Sequence, residues 1–256
     1  MISRHGKTDG YGTFGNLSKM YDDIRPTMPD KIIDSLFSHL HSKKPLILDL
    51  GCGTGIITRQ LATRGANVTG VDIDSRMIEQ AKSHQHEHIV YIVAPTEKLP
   101  LQNSSFETIT AFSAFHWFTN TEALLEIKRV LKNNGIFFVA NRNYVGDITK
   151  GYRNILKSFA DEPFPDAKKN YKPGDILKSA GFTNIEERKL LLMEKLTVGQ
   201  TLTYIQSTSL WNIIPDEKKQ DALNTLNEFF RSHSTNGIVE RPIEIQTVLG
   251  WKTDFI

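Results

Sequence analysis

The sequence predicts an α/β fold in which a mostly parallel sheet carries helices on both faces. Short apolar runs alternate with segments of helical spacing between residues 46 and 140, and this alternation is typical of parallel βαβ units with right-handed crossovers. The first apolar run leads into L-D-L-G-C-G-T-G, a glycine turn that opens a helix. Ligand-binding α/β folds place such turns at the carboxyl end of a strand.

Composition and charge limit the class of protein. The chain has 256 residues, 39% of them hydrophobic and 23% charged, which is ordinary for a globular protein with a sizeable core. Its net charge of +2 argues against nucleic acid as an obligatory partner. No apolar run approaches the roughly 18 residues of a membrane span, and the polar residues 1–10 lack a signal-peptide core. A single cysteine excludes an intramolecular disulfide, so we expect a cytoplasmic protein with no membrane partner.

Two helices are predicted before the first strand. The first has an apolar stripe formed by Leu17, Met20, Tyr21 and Ile24. Arg25-Pro26 ends it, because a residue before proline is displaced from the helical region. The second begins at residues 28–30, and its predicted buried face comprises Ile32, Ile33, Leu36, Phe37 and Leu40.

A glycine loop follows the first predicted strand, residues 46–50. Its glycines let the backbone pass close to a ligand, because a Cβ would block the approach; they are Gly51, Gly53 and Gly55. Cys52 lies inside the loop, and Asp49 lies just before it. A carboxylate there would repel a pyrophosphate and attract an ammonium group, such as the one in S-adenosylmethionine. The alternatives are a dinucleotide site, which uses the spacing G-x-G-x-x-G, and a glycine turn without a ligand.

The second predicted strand, residues 66–72, ends in Asp72. α/β nucleotide sites hold a carboxylate at this position for the ribose hydroxyls, and Ile73 follows as a further candidate cofactor contact. Asp74 is the predicted N-cap of the next helix, whose buried face is Met77, Ile78 and Ala81. Met77 either lies under an adenine ring or is a core methionine.

The third and fourth predicted strands, residues 89–93 and 106–112, also end in candidate binding segments. A-P-T-E-K-L-P follows the third strand, and S-A-F-H-W-F follows the fourth. Open α/β sheets bind ligands at such strand ends, and aromatic faces stabilise a cationic methyl donor by about 0.5–2 kcal/mol. In the alternative interpretation the aromatic residues are core and the histidine is packed and hydrogen-bonded; these residues are Phe115, His116, Trp117 and Phe118.

The rest of the chain continues the alternating series. An amphipathic helix is predicted over residues 122–132, ended by a C-cap glycine at Asn133-Asn134-Gly135, and a fifth strand over residues 136–140. Later segments favour helices at residues 147–160 and 174–180 and strands at residues 182–196 and 241–251. The nearest approach to metal-ligand spacing is H-Q-H-E-H at residues 84–88. It falls in a predicted turn, so no metal site is predicted.

These motifs resemble those of the class I S-adenosylmethionine-dependent methyltransferases. More narrowly, the chain resembles the type 11 methyltransferase domains and the trans-aconitate methyltransferase group. The matching stretches span residues 17–142, about half of the chain. They are Y-x-x-x-R-P-x-x-P at residues 21–29, L-D-L-G-C-G-T-G at 48–55, G-V-D at 70–72, T-E-K-L-P at 96–100, S-S-F at 104–106, A-F-H-W-F at 114–118 and E-I-K-R-V-L-K at 126–132.

The resemblance implies a Rossmann-like, seven-stranded and mostly parallel sheet. Two late strands would complete it as an antiparallel edge hairpin, with a helical insertion at residues 198–233 between them. A single methyltransferase domain would cover residues 1–256. Its predicted parts are an N-terminal helical lid at residues 1–44, a cofactor-binding core at 45–142, and sheet completion with an acceptor-site cap at 143–256.

The cofactor implied by the resemblance is S-adenosyl-L-methionine. Its candidate contacts lie in the lid, in the glycine loop or near the strand ends: Tyr21, Arg25, Asp49, Gly51, Cys52, Gly53, Gly55, Asp72, Ile73, Met77, Thr96, Glu97 and Ser113. Tyr21 is alternatively a packed side chain, Arg25 a salt-bridge partner and Glu97 a solvated loop acid. Pro95 stands where many relatives carry an aspartate, which weakens an adenine contact from that position.

The predicted acceptor is a small molecule. The candidate acceptor contacts are Phe115, His116, Trp117 and Trp211, and Trp211 is equally well a core residue. Methyl transfer from a sulfonium is an in-line displacement, in which the enzyme's main task is to hold donor and acceptor in a near-attack arrangement. A carboxylate acceptor needs no base, whereas a phenol, alcohol or amine could use His116 or Tyr21.

Two other functions stay open at the level of sequence. One is a nicotinamide-dependent oxidoreductase on a related fold, against which Asp49 and the glycine spacing count. The other is a non-catalytic protein that keeps the cofactor pocket, which the donor motifs disfavour. The identity of the acceptor and the oligomeric state are not predicted.

Overall fold

A computed structural model describes residues 25–84, 86–164 and 170–253. Its helices and strands, in chain order, are α1 (Asp30–Phe37), β1 (Leu46–Leu50), α2 (Ile56–Thr63), β2 (Asn67–Asp72), α3 (Ser75–Ser83), β3 (Ile89–Val93), β4 (Phe106–Phe112), α4 (Thr121–Val130), β5 (Leu131–Tyr144), α5 (Gly146–Phe159), α6 (Pro173–Ser179), β6 (Thr183–Thr197), α7 (Val198–Gln206), α8 (Asp216–Ser232) and β7 (Ile238–Trp251). Short 3-10 helices lie at Phe115–Trp117 and Trp211–Ile213. The predicted first helix, which contains Tyr21, lies outside the described residues.

The strands form one seven-stranded sheet in the order β3-β2-β1-β4-β5-β7-β6. β1 pairs in parallel with β2 and β4, β2 pairs in parallel with β3, and β4 with β5. The last two strands form an antiparallel pair at the edge. The predicted Rossmann-like, mostly parallel sheet with helices and an antiparallel edge hairpin is therefore confirmed.

Local sequence explains the elements around β1 and β2. Every residue of β1 except Leu46 is buried, as an apolar run in a central parallel strand requires. Asp74 caps α3 as predicted, since its side chain accepts a hydrogen bond from the backbone nitrogen of Arg76 at 3.0 Å. The predicted buried face of that helix is confirmed, with Met77, Ile78 and Ala81 in the core.

The prediction of a glycine C-cap after the fourth helix is wrong. α4 ends at Val130, and β5 begins at once with Leu131, which pairs with Phe106 of β4. The left-handed backbone lies at Asn134, with φ 59°, inside the strand. Hydrogen bonds to the end of β7 hold this stretch, because Asn134 donates to the carbonyl of Lys252 at 2.8 Å and Lys252 donates to the carbonyl of Gly135 at 2.9 Å. Tertiary pairing thus overrides the local turn signal.

The chain forms two compact units. Within the described residues, the larger unit comprises residues 26–84, 86–142, 170–189 and 246–253, and the smaller unit comprises residues 25, 143–164 and 190–245. Each has its own hydrophobic core. The core of the larger unit packs around the sheet, at Leu48, Phe115, Phe137 and Val248; that of the smaller unit lies among helices, at Tyr152, Tyr204, Leu226 and Phe230. The division of residues 1–256 into lid, core and cap within a single domain stays a prediction.

Candidate functional site

The predicted cofactor residues of the larger unit gather at one edge of its sheet. β3, β2, β1 and β4 are neighbours and run in parallel, so their carboxyl ends share that edge. The sheet grows from β1 through β2 to β3 on one side and continues with β4 on the other. Ligands of open α/β sheets bind at such a topological switch point. The segments that follow these four strands contain Gly51, Asp72, Thr96 and Ser113.

The glycine loop adopts a conformation that other residues would strain. Gly51, Gly53 and Gly55 have φ angles of 66°, 56° and 80°, in the left-handed region that favours glycine. A Cβ at Gly51 would lie 2.4 Å from the Cβ of Ala114, and one at Gly55 would lie 2.2 Å from the hydroxyl of Tyr91. A Cβ at Gly53 would meet nothing within 4 Å. The outer two glycines are therefore required by packing, whereas the space beside Gly53 is open for a ligand.

Asp49 is the most deeply buried acid of the candidate site, with 1% of its surface exposed. Its Oδ2 accepts a hydrogen bond from the hydroxyl of Thr58 at 2.7 Å, and its Oδ1 accepts one from Thr110 at 2.9 Å. Burial raises the pKa of Asp49 to about 6, although the two hydroxyls lower it and the charge of Asp72 raises it further. A carboxylate held by neutral hydroxyls keeps acceptor capacity for a cationic group.

Asp72 fixes the glycine loop to the end of β2. Its Oδ2 accepts a hydrogen bond from the backbone nitrogen of Gly53 at 2.8 Å, and its Oδ1 accepts one from Asp74 at 3.0 Å. Burial raises the pKa of Asp72, against the lowering effect of these backbone bonds. Ile73, the next residue, is 72% exposed, so a large apolar surface lies beside the carboxylate.

Two other candidate cofactor contacts are enclosed. Met77 is 3% exposed in α3, as its interpretation as a core methionine predicts, and its contact with an adenine ring stays a prediction. Cys52 is half-buried in the glycine loop. Burial, with the nearby charges of Asp49 and Asp72, raises the pKa of its thiol well above the ordinary value, so Cys52 remains a neutral thiol.

The candidate contacts beyond β3 and β4 have identified roles in the loops. Glu97 accepts a hydrogen bond from the side-chain amide of Asn120 at 2.7 Å, and Thr96 is buried. Ser113 has a left-handed φ of 54°, and its hydroxyl accepts a hydrogen bond from the backbone nitrogen of Arg142 at 3.1 Å. These bonds shape the rim of the edge, and contact of the three residues with cofactor stays a prediction.

The aromatic segment after β4 is mostly core. Phe115 is fully buried and packs edge-on against Phe137, with ring centroids 5.1 Å apart. His116 lies beside the rings of Trp117 and Tyr171, at centroid distances of 4.8 and 5.9 Å. The interpretation of Phe115 as core is thus confirmed, and acceptor contacts from Phe115, His116 and Trp117 stay predictions.

Two predicted site residues lie in the smaller unit. Arg25 donates to the hydroxyl of Tyr204 at 3.1 Å and to the carbonyl of Ser207 at 3.0 Å, and its guanidinium carbon lies 4.7 Å from the centre of the Tyr204 ring. Trp211 is 7% exposed in the core of this unit, as its core interpretation predicts. Tyr21, the candidate base, lies outside the described residues, so its two predicted roles stay predictions.

Sequence reasoning missed the two threonines that orient Asp49. Thr58 and Thr110 are fully buried, next to the apolar core residues Leu61 of α2 and Ile109 of β4. A buried hydroxyl needs a hydrogen-bond partner, so these polar residues at core positions were a usable signal. Val93 was also missed. It ends β3 opposite Asp72 in the strand register and is 48% exposed.

The described ranges contain neither a membrane-spanning helix nor a metal-binding cluster. Among these residues, no helix combines the length and the apolar character that crossing a membrane requires. Within the same ranges, no group of three or more His, Cys, Asp or Glu side chains is arranged to hold a metal ion.

The sequence also matches known protein families. Residues 48–139 match the family Methyltransf_11, described as a methyltransferase domain. An "Uncharacterized methyltransferase" of Schizosaccharomyces pombe is 27% identical, over 91% of this chain and 89% of its own length. A "Putative methyltransferase" of Dictyostelium discoideum is 25% identical, over 84% of this chain and 83% of its own length.

Solved structures share the fold. A "Putative Type II Methyltransferase" from Anaeromyxobacter dehalogenans has a TM-score of 0.69 at 20% identity, covering 90% of this chain and 97% of that chain. Haemonchus contortus phosphoethanolamine N-methyltransferase 2, in complex with S-adenosyl-L-methionine, has a TM-score of 0.58 at 17% identity, covering 94% of this chain and 57% of that chain.

The family match over residues 48–139 and the fold shared with solved structures bear on the class of protein. They support a class I S-adenosylmethionine-dependent methyltransferase, with S-adenosylmethionine as its cofactor. The comparisons specify neither the acceptor nor membership of the trans-aconitate methyltransferase group.

Proposed function

We propose that this protein transfers a methyl group from S-adenosylmethionine to an oxygen, nitrogen or carbon atom of a small-molecule acceptor. The observation that carries the proposal is a pair of carboxylates, buried Asp49 and half-buried Asp72, beside a glycine loop whose central residue faces open space. An ammonium group and a ribose, both present in S-adenosylmethionine, are the partners that two such carboxylates favour.

Each part of the cofactor has a candidate partner in the larger unit. Asp49 would accept hydrogen bonds from the ammonium group, because its present partners are neutral hydroxyls. Asp72 would accept hydrogen bonds from the ribose hydroxyls while its bonds to Gly53 and Asp74 hold it in place. The exposed side chains of Ile73 and Val93 would cover the faces of the adenine ring.

Methyl transfer requires the reactants to be positioned more than it requires acid–base chemistry. S-adenosylmethionine supplies a methyl group whose bond to sulfur breaks as the bond to the acceptor forms, leaving a neutral thioether. The contribution of the protein is to align donor and acceptor at a near-attack distance. An acceptor that carries a proton on the attacking atom must lose it, and His116 is the described candidate base for that step.

The narrower assignment to the trans-aconitate methyltransferase group remains part of the proposal. It rests on the sequence motifs alone, in particular the Y-x-x-x-R-P-x-x-P stretch and A-F-H-W-F. A carboxylate acceptor of that kind would be ionised at neutral pH and would need no base, so His116→Ala would then leave kcat nearly unchanged. Loss of kcat in that variant at pH 7, recovered at higher pH, would instead indicate an acceptor that must be deprotonated.

The direct test is calorimetric titration of the purified chain with S-adenosylmethionine, S-adenosylhomocysteine and NADH. We expect the two sulfur nucleotides to bind and NADH not to bind. Asp72→Asn should weaken binding at least tenfold, because hydrogen bonds to a charged group contribute about 1.5–3 kcal/mol. Asp175→Asn is the matched control, since that carboxylate in α6 is largely exposed. Binding of NADH alone would overturn the proposal in favour of an oxidoreductase.

Turnover is tested separately from binding. Release of S-adenosylhomocysteine is followed while carboxylates, phenols, alcohols and amines are offered as acceptors. A methylated product would support the enzyme. Binding of the cofactor without turnover across the whole panel would instead favour a protein that holds the cofactor without catalysis.

A further inference from the structure

A second polar centre lies in the smaller unit, around Arg241 of β7. The side chain of Arg241 is fully buried. Its Nε donates to Oε2 of Glu194 at 2.7 Å, and its Nη2 lies 2.6 Å from the same oxygen. Glu194 thus occupies one side of the guanidinium through a single oxygen atom. The other end of the guanidinium, which carries Nη1, points away from this ion pair.

Two tyrosine rings lie on one side of the same guanidinium, because their own centres are only 5.0 Å apart. The guanidinium carbon of Arg241 lies 4.4 Å from the centre of the Tyr144 ring and 4.1 Å from that of Tyr204. Both distances are in the range of cation–π contacts. Glu194 contacts Nε and Nη2 and the rings lie on one side, so Nη1 is the end of the guanidinium to which none of these three residues is hydrogen-bonded.

Nη1 is a donor that the protein does not use. Among the described residues it has no hydrogen-bond partner, although the side chain is fully buried. The hydroxyl of Thr149, buried in the first turn of α5, likewise has no partner there. The residue before this helix lies beside β7, because the backbone nitrogen of Val145 donates to the carbonyl of Pro242, the residue that follows Arg241. A buried charged donor left without a partner is costly and calls for an occupant.

We propose that the Nη1 end of Arg241 binds the anionic oxygens of a small ligand, in the form of a carboxylate or phosphate group. A planar guanidinium presents its N–H groups as a fork that matches such anions, and Glu194 and the two tyrosine rings hold this one in place. Arg25, hydrogen-bonded to Tyr204, brings a second positive charge to the same ring. Because Arg241 is fully buried, the ligand group enters when the surrounding side chains open and is enclosed once bound.

This inference goes beyond the proposed function and does not rest on it, because every residue that carries it belongs to the smaller unit. The anion site itself can be tested without the methyl donor. Failure of S-adenosylmethionine to bind would overturn the proposed function and leave the anion site standing. Failure of anions to bind would overturn the anion site and leave the proposed function standing.

The experiment measures binding of citrate and of inorganic phosphate to the full chain by calorimetry and thermal unfolding, at constant ionic strength with chloride as the reference anion. We expect at least one of the two anions to bind and to raise the melting temperature. Arg241→Lys keeps the charge and removes the fork, so the affinity should fall at least tenfold. Arg188→Lys is the matched control, because that arginine is exposed and paired with Glu186, and it should bind as the wild type does.

A folding control accompanies these variants. The double variant Arg241→Met with Glu194→Leu removes both buried charges together, so that neither is left unpaired. We expect it to fold, judged by circular dichroism, and to lose anion binding. Tighter binding of citrate identifies a carboxylate ligand, and tighter binding of phosphate identifies a phosphorylated one. Absence of binding to the wild type beyond chloride, or equal binding by the wild type and the folded double variant, would overturn the proposal.

Discussion

Asp49 and Arg241 are both buried charges, yet the two units hold them differently. Asp49 lies in the larger unit, where both of its hydrogen-bond partners are neutral threonine hydroxyls, and its pKa rises to about 6. Arg241 lies in the smaller unit, where Glu194 compensates its charge at 2.6 Å. A carboxylate held only by neutral donors is costly to ionise, whereas the opposite charge of Glu194 offsets the cost of burying Arg241.

The difference indicates where ligand binding can supply free energy. A cation that binds beside Asp49 would lower the free-energy cost of its buried negative charge. Binding would therefore be favoured by a charge that the folded protein alone does not neutralise. In the smaller unit Glu194 already compensates the charge of Arg241, and only the Nη1 end of Arg241 is available to a ligand. Changes at Asp49 should therefore act mainly on ligand affinity, and changes at the ion pair mainly on stability.

The largest expected effect is on the ion pair. Glu194→Ala leaves Arg241 as a buried, uncompensated charge, so the free energy of unfolding should fall by about 3–5 kcal/mol. Glu240→Ala is the matched control, because Glu240 pairs with Lys195 on the surface and such pairs contribute about 0–1 kcal/mol. Urea unfolding of both variants measures the difference, and similar losses in the two would contradict the account.

The glycine loop provides the next contrast. Gly51→Ala forces a Cβ to 2.4 Å from that of Ala114, and such overpacking costs about 1–3 kcal/mol beyond the left-handed strain. Gly53→Ala pays only that strain, about 1–2 kcal/mol, because its Cβ meets nothing within 4 Å. We expect Gly51→Ala to be the less stable variant in thermal unfolding, and Gly53→Ala to lose cofactor affinity while it stays folded.

For these glycine variants, the decisive comparison is between the loss of stability and the loss of cofactor affinity. If Gly53→Ala bound S-adenosylhomocysteine as tightly as the wild type, the space beside Gly53 would not be the place where the backbone approaches the ligand. The proposed position of the cofactor would then be wrong, even with the fold intact.

Asp49→Asn should separate affinity from stability. The variant keeps an acceptor for one threonine and removes the buried charge, so the free energy of unfolding at pH 7.5 should stay level or rise. Affinity for S-adenosylmethionine should fall, because a charge-assisted hydrogen bond contributes about 1.5–3 kcal/mol. Titration and urea unfolding of the same preparation measure both quantities. A parallel loss of stability and affinity would mean that Asp49 acts only as a structural residue.

The smallest effect is the pH dependence of Asp49. Its folded-state pKa of about 6 lies above the ordinary value of 3.8, so its contribution to stability is present below about pH 4 and is lost as the pH rises through 6. Cofactor affinity should move the other way, falling about tenfold per pH unit below 6 as the carboxylate takes up a proton. Titrations between pH 5 and 8 should show this slope in the wild type and a flatter one in Asp49→Asn.

The sequence predicted the strand-end residues because the signal is local. Asp49, the glycine loop and Asp72 lie within about two dozen residues, and the alternation of strands and helices dictates that their ends meet at one edge. The wrong C-cap at Gly135 arose because β5 continues through that turn, held by Lys252 of a distant segment. The residue types of a turn do not indicate that its backbone is hydrogen-bonded to a distant segment.

The polar centre of the smaller unit was beyond sequence reasoning for the same physical cause. Arg25 and Tyr204 are 179 residues apart, and Arg241 and Glu194 are 47 apart. Neither pair has a periodicity or a motif that marks it, since only the packing of helices and strands brings the members together. Thr58 and Thr110 were within reach, because their polarity at core positions was visible in the sequence.

The central claim is that Asp49 binds the ammonium group of the cofactor, and one comparison of ligands tests it most directly. S-adenosylhomocysteine carries the amino-acid group, and 5′-methylthioadenosine lacks it while keeping the adenine and the ribose. We expect Asp49→Asn to lower the affinity for S-adenosylhomocysteine at least tenfold and to leave the affinity for 5′-methylthioadenosine unchanged. We expect Asp72→Asn to lower the affinity for both ligands. If Asp49→Asn lowered the affinity for both ligands equally, or lowered neither affinity, the claim would be contradicted.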